Sequence, residues 1–290
     1  MYGIDLFFTG LTLGGLYALI AMGLTLQFGV ARIMNLSYGE FMIAASFAAL
    51  LLVNLGVNPI LSLIIMVPAG FALHWLIYQV LMLPLVKRAS SGAQLEVDSI
   101  LATFGILFVA QGIMLVMFGG NYFSYSFMSF PVHLFGANIA ANRLLVLVCA
   151  VVIGGGLYLL MTRTRMGMAM RAVATAPNFA PLVGINVTRV SAAAFATGGA
   201  MLAASGVLIS MFLPFTSSMG VLFTMKALVV VIMGGIGNLM GCLVAGMLLG
   251  FTEALVSRYI DPGLTLAANY ALFLLVLLFL PNGLFGRTAK

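Results

Sequence analysis

The stretch LLVLVCAVVIGGGLYLL, residues 144–160, contains no charged residue and no regular alternation of apolar and polar positions. A backbone exposed to lipid has no water to bond, so such a run crosses a bilayer only as a helix. A strand of a membrane barrel would alternate with a period of two over about 10 residues. The stretch therefore predicts a transmembrane helix.

The rest of the chain has the same character. Of its 290 residues, 63% are hydrophobic and 6% are charged, and the mean hydropathy is +1.23. Soluble domains carry about 25% charged residues. We therefore predict a single all-α, polytopic transmembrane domain over residues 1–290. One span needs roughly 20 residues. Hydrophobic runs long enough for at least one span lie near 5–30, 38–55, 60–86, 99–118, 143–162, 190–213, 222–257 and 264–281.

The run 222–257 is too long for one crossing. As one helix it would extend about 54 Å, whereas the hydrocarbon core is about 30 Å thick. Gly234-Gly235-Ile-Gly237-Asn238 lies near its middle, which predicts two shorter helices that meet at a glycine break. The expected total is about eight or nine transmembrane segments, including broken helices. A second polar break before a small-residue helix, at MNLSYGE, suggests a possible two-fold internal repeat.

The cations predict the orientation. The formal net charge is +6, and Arg32, Lys87, Arg88 and the segment 163–189 all face one side when the N-terminus is placed outside. Because Lys and Arg favour the cytoplasmic side, we expect a periplasmic N-terminus and a cytoplasmic C-terminus, with Arg287 and Lys290 inside. The N-terminal helix lacks the basic region of a signal peptide and is expected to be retained. No long basic block indicates a nucleic-acid partner.

Two groups of residues are candidates for a substrate pathway. The first is Asn35, Ser37, Gly39 and Glu40. An acid inside an apolar region is costly unless it has a function or a partner, but Ser37-x-x-Glu40 also matches a helix capping box. Both interpretations stay open.

The second group is Gly234, Gly235, Gly237 and Asn238, whose backbone amides could bind a polar substrate. Helix packing is the other interpretation of these glycines. It is the favoured one for the later glycines, Gly241, Gly246 and Gly250, because small residues at this spacing let helices approach closely.

The remaining charged residues, and the catalytic and metal-binding motifs that the sequence lacks, give no indication of a catalytic function. Lys226 is expected to extend to the outer membrane interface, and Glu253 to pair with Arg258. No P-loop motif is present, and neither the Cys nor the His residues have metal-site spacing. We therefore expect no enzyme activity, and no cofactor or metal bound by this chain.

The segment 163–189 concentrates four of the chain's twelve cations, Arg163, Arg165, Arg171 and Arg189, with no acid among them. Arg163 and Arg165 fit a topology anchor. MAMRAVATAP is predicted to form a short helix that Pro177 and Pro181 end or kink. Such a helix between two spans is a plausible docking element for a soluble partner.

RMGMAMRAVATAPNFAPLVGIN, residues 165–186, resembles the cytoplasmic coupling loop of the Liv-type permeases, the membrane subunits of branched-chain amino-acid ABC importers. The matching positions are Arg171-Ala172, Ala180 and Gly184-Ile185-Asn186. Residues 10–43 and 226–255 are similar to the family's first two helices and to its glycine-rich late segment. The short C-terminus resembles the LivH side of the permease pair.

The resemblance implies a permease subunit in the bacterial inner membrane. It would import branched-chain amino acids or related small polar solutes by alternating access, with ATP bound on partner subunits. The implied partners are a LivM-like second permease, two cytoplasmic ATPases and a periplasmic binding protein. The implied docking residues are Arg171, Ala172, Pro177, Ala180 and Gly184. Two alternatives from other classes remain: a stand-alone channel for a neutral solute such as urea, and a secondary transporter that uses Glu40.

Overall fold

Helices account for most of the computed structural model, which describes residues 2–134 and 137–286. Arg287 and Lys290, which are expected on the cytoplasmic side, are not among these described residues. In chain order the helices are α1 (Tyr2–Ala31), α2 (Tyr38–Asn54), α3 (Pro59–Ile77), α4 (Leu83–Arg88), α5 (Gly92–Phe118), α6 (Ala141–Arg163), α7 (Arg165–Thr175), α8 (Val187–Ser210), α9 (Gly220–Gly234), α10 (Leu239–Tyr259) and α11 (Thr265–Phe279).

Three short elements and one hairpin join these helices. A π-helical turn, Tyr78–Met82, continues α3 into α4, and 3-10 turns follow at Ala180–Val183 and Pro262–Leu264. The strands β1 (Pro131–Leu134) and β2 (Ala137–Ala140) form an antiparallel hairpin in which Val132 pairs with Ile139. This hairpin is a small departure from the all-α prediction.

The described residues contain seven helical segments long and apolar enough to cross a membrane, and two shorter apolar helices, α2 and α9. The predicted class, an all-α polytopic membrane protein with broken helices, is confirmed. The predicted division of 222–257 is also confirmed, because α9 ends at Gly234 and α10 begins at Leu239.

Helices α1 and α8 form the centre of the bundle. In an 18-residue apolar stretch of each span, 89% of α8 and 67% of α1 is buried inside the protein, compared with 17% of the span formed by α3 and α4. Small residues line α8, and small side chains let helix backbones approach closely. The same principle joins α1 to α10: a Cβ on Gly246 would lie 2.8 Å from the Ala18 Cα, and Gly250 packs on the Gly14 backbone. The packing role predicted for these late glycines is confirmed.

Two long helices each lead into a short helix through a non-helical break. Residues 32–37 separate α1 from α2, and residues 211–219 separate α8 from α9. The beginnings of α2 and α9 lie against each other, since Gly39 donates its backbone N–H to the Thr224 hydroxyl (2.7 Å). The internal repeat stays a prediction.

The two ends of the bundle differ in composition. We call one the arginine-rich end; it carries the segment 162–190, the end of α1, the start of α5 and the α9–α10 turn. We call the other the hairpin end; it carries β1, β2 and the segment 119–130. Phe123 and Phe215 pair there through their backbones, and Ser217 donates to the Gly119 carbonyl (2.7 Å).

Candidate functional site

The first break is held in place by a buried network of amide and hydroxyl groups. Gln27 Nε2 donates to the Phe195 carbonyl (3.0 Å), and Asn35 Nδ2 donates to Gln27 Oε1 (3.1 Å). Asn35 Oδ1 in turn accepts from the Ser37 hydroxyl (2.7 Å) and the Ser37 backbone N–H (3.1 Å). Buried polar groups are costly when unpaired, and this network pairs those of Gln27, Asn35 and Ser37. It thereby fixes the break against α8.

The capping-box interpretation of Ser37 and Glu40 is wrong. The Ser37 side chain makes no capping hydrogen bond, because its hydroxyl donates to Asn35 instead. Among residues 2–134 and 137–286, the carboxyl oxygens of Glu40 have no hydrogen-bond partner of normal geometry. Glu40 therefore does not reach back to cap its own helix, and its carboxyl group lies against a different helix.

That helix is α9. A Cβ built on Gly220 would lie 2.6 Å from Glu40 Oε2, so the carboxyl group packs directly on the Gly220 Cα. The backbone amide of Val221 is directed towards the same carboxyl group. The N-terminus of an α-helix carries the equivalent of about +0.5 elementary charge. Glu40, fully buried, therefore places its carboxylate where a helix dipole favours negative charge.

Gly39 allows the two helix N-termini to come this close. A Cβ on Gly39 would overlap the Gly220 carbonyl oxygen and would lie 2.6 Å from the Thr224 hydroxyl. A larger residue at position 39 would thus separate α2 from α9 and break the hydrogen bond between Gly39 and Thr224. Sequence reasoning identified Gly39 but not its partners Gly220 and Thr224.

The second predicted group, Gly234 to Asn238, forms the turn between α9 and α10. Gly235 and Gly237 have φ angles of 99° and 82°, a region that favours glycine. Gly234 packs against the Gly241 backbone, and Asn238 Oδ1 caps α10 by accepting from the Gly241 N–H (3.0 Å). Since α9 rises 1.5 Å per residue, this turn lies about 21 Å from Gly220 and Glu40. The two predicted groups are not brought together.

Instead, the turn shares a cavity with the predicted coupling segment. The cavity has a volume of about 860 Å³ and opens at the arginine-rich end. Gly237 and Asn238 line one part of it, and Arg171 with Ala172 lines another. Arg32, at the end of α1, also contributes to the wall. The α9–α10 turn and the coupling segment are therefore neighbours.

The coupling segment contains the predicted helix. Helix α7 ends at Thr175, before Pro177, and its Val173 side chain is buried. The Thr164 hydroxyl caps it by accepting from the Gly167 N–H (3.1 Å). Gly167 packs on the backbone of the last turn of α6. These contacts attach α7 firmly to the membrane-spanning bundle.

The predicted docking residues differ in exposure. Arg171 is exposed and donates through Nη2 to the Thr162 carbonyl (3.4 Å). Gly184 is exposed and ends the 3-10 turn with φ 77°. Ala172 and Pro177 are partly buried, and Ala180 is packed in the core. The most exposed large apolar side chains of this segment are Phe179 (69%), Leu182 (81%) and Val183 (74%), which sequence reasoning did not identify. We call these three the apolar surface.

The expectation for Lys226 is wrong. Its ammonium group does not reach the interface but contacts both carboxyl oxygens of Glu253, at 2.9 and 2.8 Å, and the Tyr17 hydroxyl at 2.7 Å. The side chains of Lys226 and Glu253 are only 14% and 16% exposed. Tyr17 and Asn269 also donate to Glu253 Oε2. Charges in a bilayer are costly unless they are paired, and here the pairing partners of Lys226 and Glu253 come from different helices. The resulting ion-pair cluster joins α9 to α1, α10 and α11.

Comparison with known proteins agrees with this architecture. The family model described as the permease component of the branched-chain amino acid transport system matches residues 6–281. The chain belongs to this permease family. No solved structure matches it.

Curated relatives of the permease match over almost the whole chain. It is 30% identical to the high-affinity branched-chain amino acid transport system permease protein LivH of Escherichia coli, over 99% of this chain and 96% of the relative. LivH of Salmonella typhimurium has the same identity and coverage. The corresponding protein BraD of Pseudomonas aeruginosa is 30% identical over 96% of this chain and 94% of its own length.

The residues of the permease that sequence reasoning missed had weak signals. The run Thr216-Ser217-Ser218-Met219-Gly220 interrupts an apolar region and could have indicated the break before α9. Lys226 and Glu253 are 27 positions apart, so no local pattern indicates that they pair. Phe179 and Leu182 look like ordinary apolar residues, and only the fold leaves them exposed.

Proposed function

We propose that this permease is the membrane-spanning subunit of an ATP-driven importer for branched-chain amino acids or related small polar solutes, in a bacterial inner membrane. The substrate class follows the names of the relatives, which are branched-chain amino acid transport permeases. The proposed partners are a second, LivM-like permease, two cytoplasmic ATPase subunits and a periplasmic binding protein. The ATPase subunits, and not this chain, would bind and hydrolyse ATP.

The coupling segment carries this proposal. It combines a helix anchored in the bundle with the apolar surface, Phe179, Leu182 and Val183, at the arginine-rich end. An exposed apolar patch bordered by polar residues is typical of a protein–protein contact. The arginines around it favour the cytoplasmic side, where an ATPase would meet it. This orientation puts the N-terminus on the periplasmic side.

A continuous path of packed elements connects the coupling segment with Glu40. Helix α7 packs on α1 and borders the cavity that the α9–α10 turn also lines. Helix α1 in turn packs on α9, which runs from that turn to the Glu40 carboxyl group. A movement of α7 by a docked ATPase would therefore reach the N-terminus of α9. In this mechanism Asn35, Ser37, Gly39 and Glu40 border the substrate pathway. Gly234, Gly235, Gly237 and Asn238 form the part that moves with the coupling segment.

Co-purification tests the proposal. The tagged protein is extracted in mild detergent from its native membrane, and its partners are identified by mass spectrometry. Leu182→Asp is compared with Leu55→Asp, because Leu55 is equally exposed (79%) but lies at the hairpin end, after α2. We expect P-loop ATPases with the wild type and Leu55→Asp and their loss with Leu182→Asp.

Transport provides the second measurement. Liposomes containing the purified complex and the binding protein should accumulate radiolabelled L-leucine only when ATP is supplied. If the wild type is purified without an ATPase and transports without ATP, the proposal is refuted. A neutral-solute channel or a secondary transporter using Glu40 would then explain the chain better.

A further inference from the structure

We propose that Glu40 and the N-terminus of α9 together form a binding site for the charged ends of a zwitterionic amino acid. In this site the Glu40 carboxylate binds the substrate ammonium group, and the first backbone amides of α9 bind the substrate carboxylate. This inference rests on the proposed function, because it places the proposed amino-acid substrate in the pathway that Glu40 borders.

The Glu40 carboxylate is incompletely paired among the residues that the structure describes. It is 0% exposed, and within those residues neither oxygen has a hydrogen-bond partner of normal geometry. A carboxylate accepts at about four lone-pair sites, and only the Val221 amide is directed at it. A buried carboxylate with this much unused accepting capacity matches a ligand that brings several donors and a positive charge. An ammonium group brings both.

The cation of α9, Lys226, does not pair with Glu40. Lys226 follows Gly220 by less than two helical turns, but its ammonium group contacts Glu253 and Tyr17. Lys226 is therefore already satisfied at a distinct position on the helix. Neither ion pair found among the described residues includes Glu40, so a bound molecule would supply the positive charge.

The beginning of α9 has donors for the opposite charge. The amides of Gly220, Val221 and Leu222 come before Phe223, the first residue whose amide donates to a carbonyl at the start of the helix. The N-cap residue, Met219, makes no capping hydrogen bond through its side chain. Helix N-termini bind carboxylates through such amides and through the helix dipole. Discontinuous membrane helices use this arrangement at substrate sites. An α-amino acid carries its ammonium and carboxylate groups on the same carbon atom, and here the Glu40 carboxyl group packs on Gly220, the first residue of α9.

Glycines allow the site to close. Gly39 and Gly220 have no side chains of their own to hold the two N-termini apart, and the Thr224 hydroxyl of α9 accepts a hydrogen bond from the Gly39 amide. The arrangement in this structure is closed, because Glu40 itself lies on the N-terminus of α9. Separation of α2 from α9 would expose the carboxylate and the amides together, and a zwitterion would fit between them.

Equilibrium dialysis of the purified permease complex without its binding protein tests this site. The probes are radiolabelled L-leucine, leucinamide, which lacks the carboxylate, and 4-methylpentanoate, which lacks the ammonium group. Binding is measured without nucleotide and with ATP plus vanadate, so that both access states are sampled. We expect leucine to bind at least tenfold more tightly than either analogue in one of the two states.

Variants of Glu40 identify the group responsible. Glu40→Gln is nearly isosteric and should weaken leucine binding at least tenfold while leaving 4-methylpentanoate binding unchanged. Glu40→Asp, which keeps the charge, should restore part of the affinity. Asp261→Asn is the matched control: it also removes one acidic charge, but at an exposed turn where Asp261 accepts from the Gly263 amide. It should bind leucine as the wild type does.

The outcomes separate this inference from the proposed function. If Glu40→Gln binds leucine as tightly as the wild type, or if wild-type leucine binding is undetectable in both states, the zwitterion site is refuted. If Glu40→Gln weakens all three probes equally, Glu40 has only a structural role and the site is likewise refuted. The absence of an ATPase partner would instead refute the proposed function, whatever the dialysis shows.

Discussion

Replacement of Lys226 by methionine should destabilise the permease more than any other loss of a single cation. The Lys226 ammonium group makes three contacts shorter than 3.0 Å, two with Glu253 and one with the Tyr17 hydroxyl, and it lies 4.7 Å from the centre of the Tyr17 ring. Methionine has a similar length and fills the same space, but it leaves the Glu253 carboxylate without its cation.

The expected magnitude follows from what remains around Glu253. Removal of one partner from a buried ion pair costs about 3–5 kcal/mol, because the other charge stays buried and uncompensated. Tyr17 and Asn269 still donate to Glu253, at 2.9 and 3.2 Å, which places the cost near the lower limit. We therefore expect Lys226→Met to reduce the free energy of unfolding by about 3 kcal/mol.

A double-mutant cycle in mixed detergent micelles measures this value. The free energy of unfolding is determined for the wild type, Lys226→Met, Glu253→Gln and the double variant as the denaturing detergent is increased. The double variant should recover at least about 1.5 kcal/mol relative to the sum of the single losses, because it buries no unpaired charge. Lys87→Met, at an exposed position, is the control and should unfold like the wild type.

Two results would refute this reasoning. A loss below about 1 kcal/mol for Lys226→Met would mean that the ion pair behaves as a solvated surface pair. If the double variant loses as much free energy of unfolding as the two single variants lose together, Lys226 and Glu253 act independently.

Three further changes test the helix contacts by the same unfolding measurement. Gly39→Ala should cost about 2–4 kcal/mol, from overpacking and a lost hydrogen bond. Gly112→Ala is its control and should cost nothing, because a Cβ at this position meets open space. Equal losses for the two variants would contradict the close contact of α2 with α9. Gly235→Ala should cost about 1–3 kcal/mol, because its φ of 99° strains any other residue, and an unchanged stability would rule out this turn geometry. Asn186→Ala should cost about 1 kcal/mol, because Asn186 caps α8 by accepting from the Arg189 amide (3.0 Å), and unchanged hydrogen exchange at that amide would argue against the cap.

The sequence by itself determined the features that depend on neighbouring residues. Hydrophobic runs located the membrane-spanning helices, because each span must bury about 20 consecutive residues in lipid. The glycines at 234–237 located the α9–α10 turn, because two of them adopt positive φ angles. Pro177 located the end of α7, because proline cannot continue a helix. Glu40 stood out as a candidate because an acid is rare inside an apolar region.

Only the tertiary structure decided which distant groups meet. Glu40 and Gly220 are 180 positions apart, and their contact depends on how α2 packs on α9. The same holds for Lys226 and Tyr17, which are 209 positions apart. Side chains that look alike in a sequence, such as Ala180 and Leu182, become buried or exposed according to the helices around them. The physical reason is that helix packing joins surfaces formed by residues far apart in the chain, and no local pattern encodes that pairing.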